Sequence, residues 1–416
     1  MSNDVSLEKS ANDPAIPVGW HKVRFGDIVR NVRVRVDRKN CELDKYVAGE
    51  HMETDDLHIK KWGTIGEDYL GPAFNQKFVK GQILYGSRRT YLRKVAIADF
   101  DGICANTTFV IEQKGNDLIP NLIPFIMQSE SFTQHSIRMS KGSVNPYVNW
   151  KDIASYKFLI PPIPEQRDIT KILMAAEECI IKNQRLLNAS GILKKLLQKQ
   201  LLTKGIRHKE FKDTPIGRLP NEWGVKRVSD VAEINKEAVD PTKELSDKEF
   251  LYFDIDSVES GTGIIGNPRR ILGKNAPSRA RRVIHENDVM MSTVRPYFKA
   301  FALVPPEYDG QICSTGFAVL RCKREIMPPY LLYSLFSDAV MHQCRRMMVG
   351  GQYPALNSSQ VSKIRIPLPS ISEQGEIVQI LSVVDKATRK IRETIAAAKA
   401  LKLKLINKLL IKETAS

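Results

Sequence analysis

The sequence predicts an α+β protein with a pseudo-twofold internal repeat. Two tandem globular domains are separated by two long helices, which form an antiparallel coiled coil. Three observations support this fold class. Short motifs recur in the same order about 200 residues apart. Each copy combines β-rich runs with short helical stretches and turn residues. Each copy then ends in a long segment with apolar residues at helical spacing and no proline beyond its first turn.

The repeat is defined by motif pairs whose offset drifts only from 203 to 208 residues along the chain. Because chance similarity does not keep both order and spacing, the two copies share a fold and differ by small loop insertions. The matched motifs are Pro17-Val18-Gly19-Trp20 with Pro220-Asn221-Glu222-Trp223, residues 82–91 with 288–297, 101–104 with 309–313, 145–149 with 353–357, and 158–166 with 366–374.

The motif pairs also set the domain boundaries. They predict a first globular domain at 15–163, a long helix at 164–205, a linker at 206–218, a second globular domain at 219–371 and a second long helix at 372–412. Runs of β-forming residues predict strands at 82–85, 94–98 and 107–111, and again at 289–291, 301–304 and 317–320. Residues 121–127 and 329–336 predict short helices. The order of the strands stays open.

The two long helices carry apolar residues on a three-four spacing, which puts an apolar stripe along one face of each. Ile169, Leu173 and Ile180 mark this stripe in the first helix. The stripe of a free helix would be exposed to water, so the economical arrangement is that the two helices pair. The pairing is expected to be antiparallel, because a short connection and the second domain must fit beside the coil before the second helix begins. The stripe is also wide enough to accept further helices from a partner protein.

Local signals mark the helix ends. Ser370 and Glu373 have the spacing of a capping box, and Gly205 suits a C-terminal cap. Asn183 and Ser190 fall at core positions of the first helix. Two interpretations stay open for them: a helix turned slightly towards solvent, or polar residues that set the register of the pairing.

Composition narrows the function. The net charge is +16, from 63 Lys and Arg against 47 Asp and Glu, so the surface attracts polyanions. Charge alone does not separate DNA, RNA and an acidic membrane face. The six cysteines contain no C-x2-C pair, which argues against a zinc ribbon and fits a reducing compartment. The polar N-terminus predicts no signal peptide, and no apolar run approaches the ~18 residues of a membrane span. We therefore expect a cytoplasmic protein that spans no membrane.

A duplicated globular domain followed by the pattern I-P-x-P-x-x-E-Q and a long helix resembles the specificity subunits of type I restriction-modification systems. The motifs that carry the resemblance are Ile160-Pro161-Pro162-Ile163-Pro164-Glu165-Gln166, Ile366-Pro367-Leu368-Pro369-Ser370-Ile371-Ser372-Glu373-Gln374, the openings at Trp20 and Trp223, and Gly-Gln-Ile-Leu-Tyr-Gly-Ser-Arg at 81–88. The match extends from about Pro17 to Lys412, and two copies in the right order make it specific. The second copy departs from the first at Ser370 and Ser372, which stand in place of prolines.

The resemblance implies a division of labour. Each globular part would be a target-recognition domain that reads half of a bipartite, asymmetric site in double-stranded DNA. The helices would fix the distance between the half-sites and dock two adenine methyltransferase (modification) subunits, and restriction subunits would join to make the nuclease. The chain itself would carry no cofactor, whereas S-adenosylmethionine, ATP and Mg are implied for the partner subunits.

Basic and aromatic residues follow a strand in both copies, and arginine can pair bidentately with guanine or with phosphate. A dense basic stretch in the second domain and a Gly-rich loop with amide and hydroxyl groups in each domain add further candidates. The competing interpretations are a solvated hairpin edge, a solvated loop and a simple turn. The candidate DNA-contacting residues are Arg88, Arg89, Tyr91, Arg93, Lys94, Lys141, Ser143, Asn145, Arg269, Arg270, Arg279, Arg281, Arg282, Arg295, Tyr297, Lys299, Gln352 and Tyr353.

The residues do not support catalysis by this chain. Asn145-Pro146-Tyr147 lacks one proline of the loop with which adenine methyltransferases hold a flipped base. Residues 261–266 fit G-x-G-x-x-G, but Pro268 follows where a helix should open. No phosphate-binding loop and no histidine ligand spacing occur, so neither a catalytic site nor a metal site is predicted. The rival hypotheses are a stand-alone nucleic-acid-binding regulator and a nuclease or methylase with a degenerate motif.

Overall fold

The computed structural model describes residues 16–37, 42–67, 69–348 and 354–410. The chain divides into two compact units, residues 1–185 with 391–416 and residues 186–390. The first unit holds the first globular domain with one half of each long helix. The second unit holds the second globular domain with the other halves.

The first unit begins with a β-rich domain and continues into a long helix. Its strands are β1 (His21–Arg24), β2 (Val29–Val32), β3 (Val34–Arg35), β4 (Lys45–Val47), β5 (Gly63–Thr64), β6 (Phe74–Phe78), β7 (Ile83–Gly86), β8 (Val95–Ile97), β9 (Gly102–Ala105), β10 (Thr108–Gln113) and β11 (Lys157–Ile160). Its helices are α1 (Phe25–Ile28), α2 (Ile123–Gln128), α3 (Glu130–Arg138), α4 (Trp150–Ala154) and the first half of α5 (Ile163–Lys204).

The second unit repeats most of this succession and adds a hairpin and a short helix. Its strands are β12 (Phe211–Thr214), β13 (Gly217–Pro220), β14 (Gly224–Arg227), β15 (Ala232–Ile234), β16 (Glu249–Phe253), β17 (Arg269–Leu272), β18 (Ala280–Ile284), β19 (Val289–Ser292), β20 (Phe301–Leu303), β21 (Gln311–Ser314), β22 (Phe317–Cys322) and β23 (Arg365–Leu368). Its helices are α6 (Val228–Val231), α7 (Pro241–Glu244), α8 (Pro328–Leu335), α9 (Asp338–Met347), α10 (Ser358–Ser362) and the first half of α11 (Ile371–Leu410).

The sheets of the two units have matching strand orders, except that β3 adds a fifth strand to one sheet of the first unit. The first unit contains β2-β10-β7-β8, β3-β6-β9-β4-β5 and the pair β1-β11, and the second contains β15-β22-β19-β20, β17-β16-β21-β18 and the pair β14-β23. The pairs β4-β9 and β16-β21 are parallel, whereas their neighbours are antiparallel. The internal repeat is thus confirmed at the level of topology, and the predicted strands and short helices are present as β7, β8, β10, β19, β20, β22, α2 and α8.

Aromatic side chains fill the core of each domain. In the first, the Phe132 ring packs edge-on against Phe25 and Tyr85, with ring centres 5.2 and 5.9 Å apart. In the second, Trp223 and Tyr330 are buried in one cluster with the apolar residues of β19 and β20. Full burial of such a side chain stabilises the folded state by roughly 2–3 kcal/mol. These cores fix β7 and β19, the strands that end at the candidate interface.

The repeated tryptophan and glutamate meet at the start of each long helix. Trp20 Nε1 donates to the Glu165 carboxylate over 3.0 Å, and Trp223 Nε1 donates to Glu373 over 2.9 Å. Each domain's opening residue is thereby tied to the helix that follows the domain. The predicted capping box forms only in part: Ser370 Oγ accepts from the Glu373 amide, but the Glu373 carboxylate is bonded to Trp223.

The glutamine of each Glu-Gln pair is buried and makes three backbone hydrogen bonds. Both amide hydrogens and the carbonyl oxygen are used, so the helix start is fixed to the loop before it and to the connection after β10 or β22. Gln166 bonds the carbonyl groups of Asp117 and Pro161 and the amide of Ile119, and Gln374 bonds the carbonyl groups of Glu325 and Pro369 and the amide of Met327.

Halves of α5 and α11 pack side by side in each unit. Ile169, near the start of α5, shares a core with Leu410 at the end of α11. Leu202, near the end of α5, shares a core with Ile377 near the start of α11. Residue numbers therefore rise along one helix as they fall along the other, and the predicted antiparallel pairing is confirmed.

The two polar residues predicted at core positions of α5 differ. Ser190 is buried, and its Oγ accepts a hydrogen bond from Thr388 Oγ1 of α11 over 3.2 Å. Asn183 instead bonds the Cys179 carbonyl of its own helix. The register interpretation therefore fits Ser190, and the solvent-turned interpretation fits Asn183. Gly205 ends the helix with a φ of +65°, as predicted for a C-terminal cap.

Part of the segment predicted as a linker is ordered as a hairpin. Strands β12 and β13 pair antiparallel from Phe211 with Pro220 to Thr214 with Gly217. No helix in the described part of the chain combines the length and the apolar character that a membrane crossing requires.

Candidate nucleic-acid interface

The turn after β7 has an unusual backbone. Residues Thr90–Leu92 form a single 3-10 turn, and the residue on either side of it, Arg89 and Arg93, is left-handed, with φ of 49° and 44°. Side chains other than glycine disfavour this region by roughly 1–2 kcal/mol per residue. Two arginines held there indicate a backbone that the surrounding contacts impose.

The second domain repeats the same turn at the equivalent place after β19. Residues Pro296–Phe298 form the 3-10 turn, and Arg295 and Lys299 flank it with φ of 45° and 56°. Arg295 and Lys299 lie 206 residues after Arg89 and Arg93. A basic residue therefore occupies both left-handed positions in both copies, although glycine would be the less strained choice.

In the first unit the Gly-rich loop packs directly against this turn. The Arg89 amide donates to the Pro146 carbonyl over 2.7 Å, Arg88 forms a β-bridge with Tyr147, and the Val148 amide donates to Ser87 over 3.0 Å. The two candidate loops therefore form one surface, which we call the first turn surface. Its exposed side chains are Arg88, Arg89, Tyr91, Lys141, Ser143, Val144, Asn145 and Tyr147.

The second unit builds the same contact. The Arg295 amide donates to the Pro354 carbonyl over 2.9 Å, and Val294 forms a β-bridge with Ala355. We call this region, residues 294–299 with 354–355, the second turn surface. Tyr297 is half-buried there and packs edge-on against Phe298, with ring centres 4.8 Å apart. The candidates Gln352 and Tyr353 lie outside the described residues.

Three predicted contact residues beside the two turns bond to other groups of the protein. The Arg93 guanidinium forms two hydrogen bonds of 2.6 Å to the Asp55 carboxylate. Lys94 Nζ donates to the Gly49 carbonyl over 2.5 Å, and Lys299 Nζ donates to the Phe336 carbonyl over 2.7 Å. Burial also lowers the pKa of Lys299. These side chains hold the turn in place, and Arg88 and Arg89 are the more exposed arginines of the first turn surface.

The dense basic stretch of the second domain lies on a different sheet. Arg269 and Arg270 are on β17, and Arg281 and Arg282 are on β18, at opposite edges of the sheet β17-β16-β21-β18. Neighbouring carboxylates balance several of these charges: Arg269 pairs with Asp254 over 2.7 Å, Arg270 with Glu249 over 3.7 Å, and Arg281 with Asp240. Burial lowers the pKa of Arg282, which is only partly exposed.

Arg279 joins the basic stretch to the second turn surface. Its carbonyl accepts from the Thr315 amide over 2.8 Å, and the next residue, Gly316, accepts from the Thr293 amide over 2.8 Å. The Arg279 side chain is exposed. In the first unit the same two hydrogen bonds run from Asn106 to Ala73 and from Ser87 to Thr107. Ala73 therefore occupies in the first domain the place that Arg279 occupies in the second.

Comparison with known proteins identifies the family. The chain matches the type I restriction modification DNA specificity domain over residues 17–189 and again over 220–399. This chain belongs to that family. Its function is accordingly that of a DNA specificity subunit, which recognises DNA and has no catalytic role of its own. The predicted resemblance is confirmed, and nothing in the comparisons favours a stand-alone regulator.

Relatives match over most or part of the chain. The type I restriction enzyme MjaVIII specificity subunit of Methanocaldococcus jannaschii is 24% identical over 428 residues, which is 95% of this chain and 93% of the relative. The type I restriction enzyme EcoDI specificity subunit of Escherichia coli is 30% identical over 172 residues, which is 41% of this chain and 37% of the relative.

Solved structures support the fold. A chain from work on complex assembly and conformational transition of the type I R-M system has a TM-score of 0.57 and 23% identity, over 96% of this chain and 99% of that chain. The type I restriction-modification S subunit from M. genitalium has a TM-score of 0.53 and 13% identity, over 98% and 99%.

Sequence reasoning found both turns but missed two of their features. The left-handed backbone at Arg89 and Arg295 leaves no mark in residue type, because arginine is not the residue expected there. The residue type gives no sign that Tyr147 belongs to the same surface, yet its partly exposed side chain lies beside Arg88. The repeat of residues 145–149 as 353–357 was the available signal that this loop accompanies the turn.

Proposed function

We propose that this chain reads a bipartite, asymmetric site in double-stranded DNA, with one half-site read by each globular domain, residues 15–163 and 219–371. The observation that carries the proposal is the repeated turn, which presents arginine from a left-handed backbone position beside a second loop in both copies. Each domain carries one such turn, so a chain with two domains would contact two half-sites.

The turns suit DNA contact because they are rigid. A flexible loop loses conformational entropy when it binds, whereas a turn already fixed by backbone hydrogen bonds loses less. Arg88 and Arg89 present guanidinium groups that fit phosphate oxygens or the O6 and N7 atoms of guanine. The exposed Tyr91 and Tyr147 rings add surfaces for apolar contact with sugars or bases. Of the other predicted contact residues, the exposed Lys141, Ser143, Asn145 and Arg279 would support these groups mainly through phosphate contacts.

We further propose that the paired helices dock two methyltransferase subunits, which restriction subunits then join. Apolar side chains stay exposed on α5 and α11 although the two helices pack against each other. Leu186, Ile192 and Leu196 on α5 and Val383 on α11 are each more than half exposed. Apolar helix surface of this kind is typical of a face that binds another helix. In this proposal S-adenosylmethionine, ATP and Mg belong to the partner subunits, and the complex acts in the cytoplasm.

The reading function is tested by sequencing adenine methylation in the native genome with the gene intact and with the gene deleted. We expect one bipartite motif to lose its methylation on deletion and to regain it when the gene is restored. If the methylated motifs are identical in the two genomes while the methyltransferase is active in both, the chain does not direct methylation.

Helix docking is tested separately by co-purification with the methyltransferase. The double change Ile192→Glu and Leu196→Glu places two charges on the exposed apolar face, and we expect it to abolish co-purification. Gln200→Glu changes an exposed polar residue of the same helix and serves as the matched control. Equal co-purification of both variants would place the docking surface elsewhere.

A further inference from the structure

Each unit contains an ion pair that joins α5 to α11. In the first, Lys402 Nζ lies 2.8 Å from the Glu177 carboxylate. In the second, Lys194 Nζ lies 2.5 Å from the Asp385 carboxylate. Asp385 follows Glu177 by 208 residues, and Lys402 follows Lys194 by the same interval. The two pairs are therefore equivalents in the internal repeat, with acid and base exchanged between the helices.

We propose that these two ion pairs fix the direction and the register in which the long helices pair. Buried charged side chains contribute little net stability to a coiled coil, because desolvation offsets most of the attraction between them. They do penalise any arrangement that leaves them unpaired. Their contribution is therefore expected in the choice of pairing rather than in the stability of the pair.

Both pairs are satisfied only in the observed arrangement. Lys402 is fully buried and donates to the Asp55 carbonyl over 3.1 Å as well as to Glu177. The half-buried Asp385 accepts from the Tyr333 hydroxyl over 2.7 Å in addition to pairing with Lys194. Moving either helix by one turn relative to the other would break both ion pairs.

The cluster around Glu177 is an ion-pair network. Glu177 also lies 3.3 Å from His58 Nδ1, and His58 Nδ1 lies 3.6 Å from the Asp56 carboxylate. The ammonium groups of Lys402 and Lys60 donate to the two carboxylates. The two lysine ammonium groups thus supply a positive charge in hydrogen-bond contact with each of the two acids.

Shifting the pairing by one heptad shows what the ion pairs exclude. A shift in one direction places Lys194 opposite Arg392 and Glu177 opposite Leu409. The opposite shift places Lys194 opposite Val378 and Glu177 opposite Ile395. Both alternatives place a charge against an apolar or like-charged side chain, which is unfavourable because the charge loses its partner.

Parallel pairing between two copies of the chain is disfavoured for the same reason. If two α5 helices paired in parallel and in register, Glu177 would meet Glu177 and Lys194 would meet Lys194. Two α11 helices paired in this way would bring Asp385 and Lys402 against their own copies. Like charges at these positions therefore oppose self-association through the apolar stripe.

The test uses the full chain and a disulfide that reports the register. Ser190 and Thr388 touch across the two helices, so S190C and T388C are introduced together. The background carries Cys41→Ser and Cys179→Ser. The parent should oxidise to a single intramolecular crosslink. The variant K194L/D385L removes the partly buried pair beside the reporter. We expect its melting temperature to hold or rise, while most of the intramolecular crosslink is lost or a crosslink between two copies of the chain appears.

The exchanged variant K194D/D385K is the matched control. It keeps one acid and one base at the same two positions and is expected to restore the single crosslink. The variant E177L/K402L removes the ion pair of the first unit. We expect this variant to self-associate, so that its molecular mass in solution exceeds that of one chain. If K194L/D385L crosslinks as completely as the parent and both apolar variants keep the parent's mass, apolar packing alone sets the register and the proposal is wrong.

Discussion

The two globular domains share the geometry of the turn after β7 and β19 but differ in the charge beside it. Both keep a basic residue in left-handed backbone at each end of the turn. At the adjoining sheet edge the first domain has Ala73 where the second has Arg279. Residues 63–78 contain two acids and one base, whereas residues 269–284 contain six bases and no acid.

This comparison separates what both half-sites require from what distinguishes them. Every DNA half-site offers the phosphate backbone as a contact. A turn that is present in both copies is therefore suited to phosphate contacts, which position the protein on the duplex. Base edges and local DNA shape differ between half-sites, so the sheet edge that differs is the better candidate for discrimination. The same scaffold thus carries a constant element and a variable one.

The largest expected effect comes from removing the exposed arginines of one turn. In R88A/R89G the glycine keeps the left-handed backbone while both guanidinium groups are lost. We expect the purified complex with the methyltransferase to bind its DNA site roughly 10- to 100-fold more weakly, corresponding to about 1–3 kcal/mol. Fluorescence anisotropy on a labelled duplex measures this.

The matched change in the second domain is R295G, and the exposed Lys157 on β11 provides a neutral control as K157A. We expect R295G to weaken binding as well and K157A to have little effect. If only one domain's turn affects binding, the two turns do not have a common role.

A smaller effect is expected at the position where the domains differ. R279A gives the second domain the residue of the first, and A73R does the reverse. If Arg279 neutralises one phosphate, R279A makes the fall of log K with log salt less steep by about 1. A73R makes this fall steeper by about 1. Binding titrations at several salt concentrations measure both slopes. Unchanged slopes would exclude a phosphate contact by Arg279, and unchanged slopes together with unchanged affinity for the DNA site would remove Arg279 from the interface.

The polar residues beside the two helix ion pairs also differ. This difference predicts a pH dependence of stability in the first unit that the second unit lacks. The carboxylates of Asp56 and then Glu177 raise the pKa of His58 to about 9. In the second unit the equivalent acid, Asp385, accepts a hydrogen bond from the Tyr333 hydroxyl. Burial raises the pKa of Tyr333 further above neutrality.

Because the His58 pKa is higher in the folded state than its ordinary value, its contribution is complete below about pH 6.5 and is lost as the pH rises through 9. The His58 side chain is 40% exposed, so solvent screening reduces the contribution to about 1 kcal/mol. Urea unfolding at pH 6.5 and 9.5 should show this loss in the parent and not in H58Q. Equal losses in the two proteins would exclude His58 as the cause.

The smallest expected effect is a gain in stability. Arg89 is exposed and left-handed, so R89G alone removes backbone strain at little loss of packing. We expect the free energy of unfolding to rise by about 0.5–1 kcal/mol while DNA binding weakens. Urea denaturation compares R89G with R88G, which changes an exposed neighbour that is not left-handed. A stability gain in R88G and not in R89G would contradict the strain argument.

The repeat, the long helices and the short elements could be predicted because each rests on local pattern. Motif order predicts the two copies, and helical spacing with the short connection predicts the antiparallel pair. Gly205 ends α5 as predicted, whereas the structure decides between the two interpretations that the sequence leaves open for Ser190. The sheet order and the partners of Gln166 and Gln374 depend on long-range packing, which a single sequence does not encode in any local pattern.

The candidate site shows the same division. Basic residues after a strand were enough to find the region of Arg88 and Arg295, because charge is visible in the sequence. Which arginines face outward was not visible, since Arg93 is occupied by Asp55 from another loop. The equivalence of Ala73 and Arg279 also required the structure, because their shared place is defined by backbone hydrogen bonds to distant residues.

The most direct test of the central claim is methylation mapping with a chain whose second domain, residues 219–371, is replaced by a copy of residues 15–163. If each domain reads one half-site, the complex should methylate an inverted repeat of a single half-site, and the other half-site should disappear from the motif. If the original asymmetric motif is still methylated, the two domains do not read the two halves, and the account is wrong.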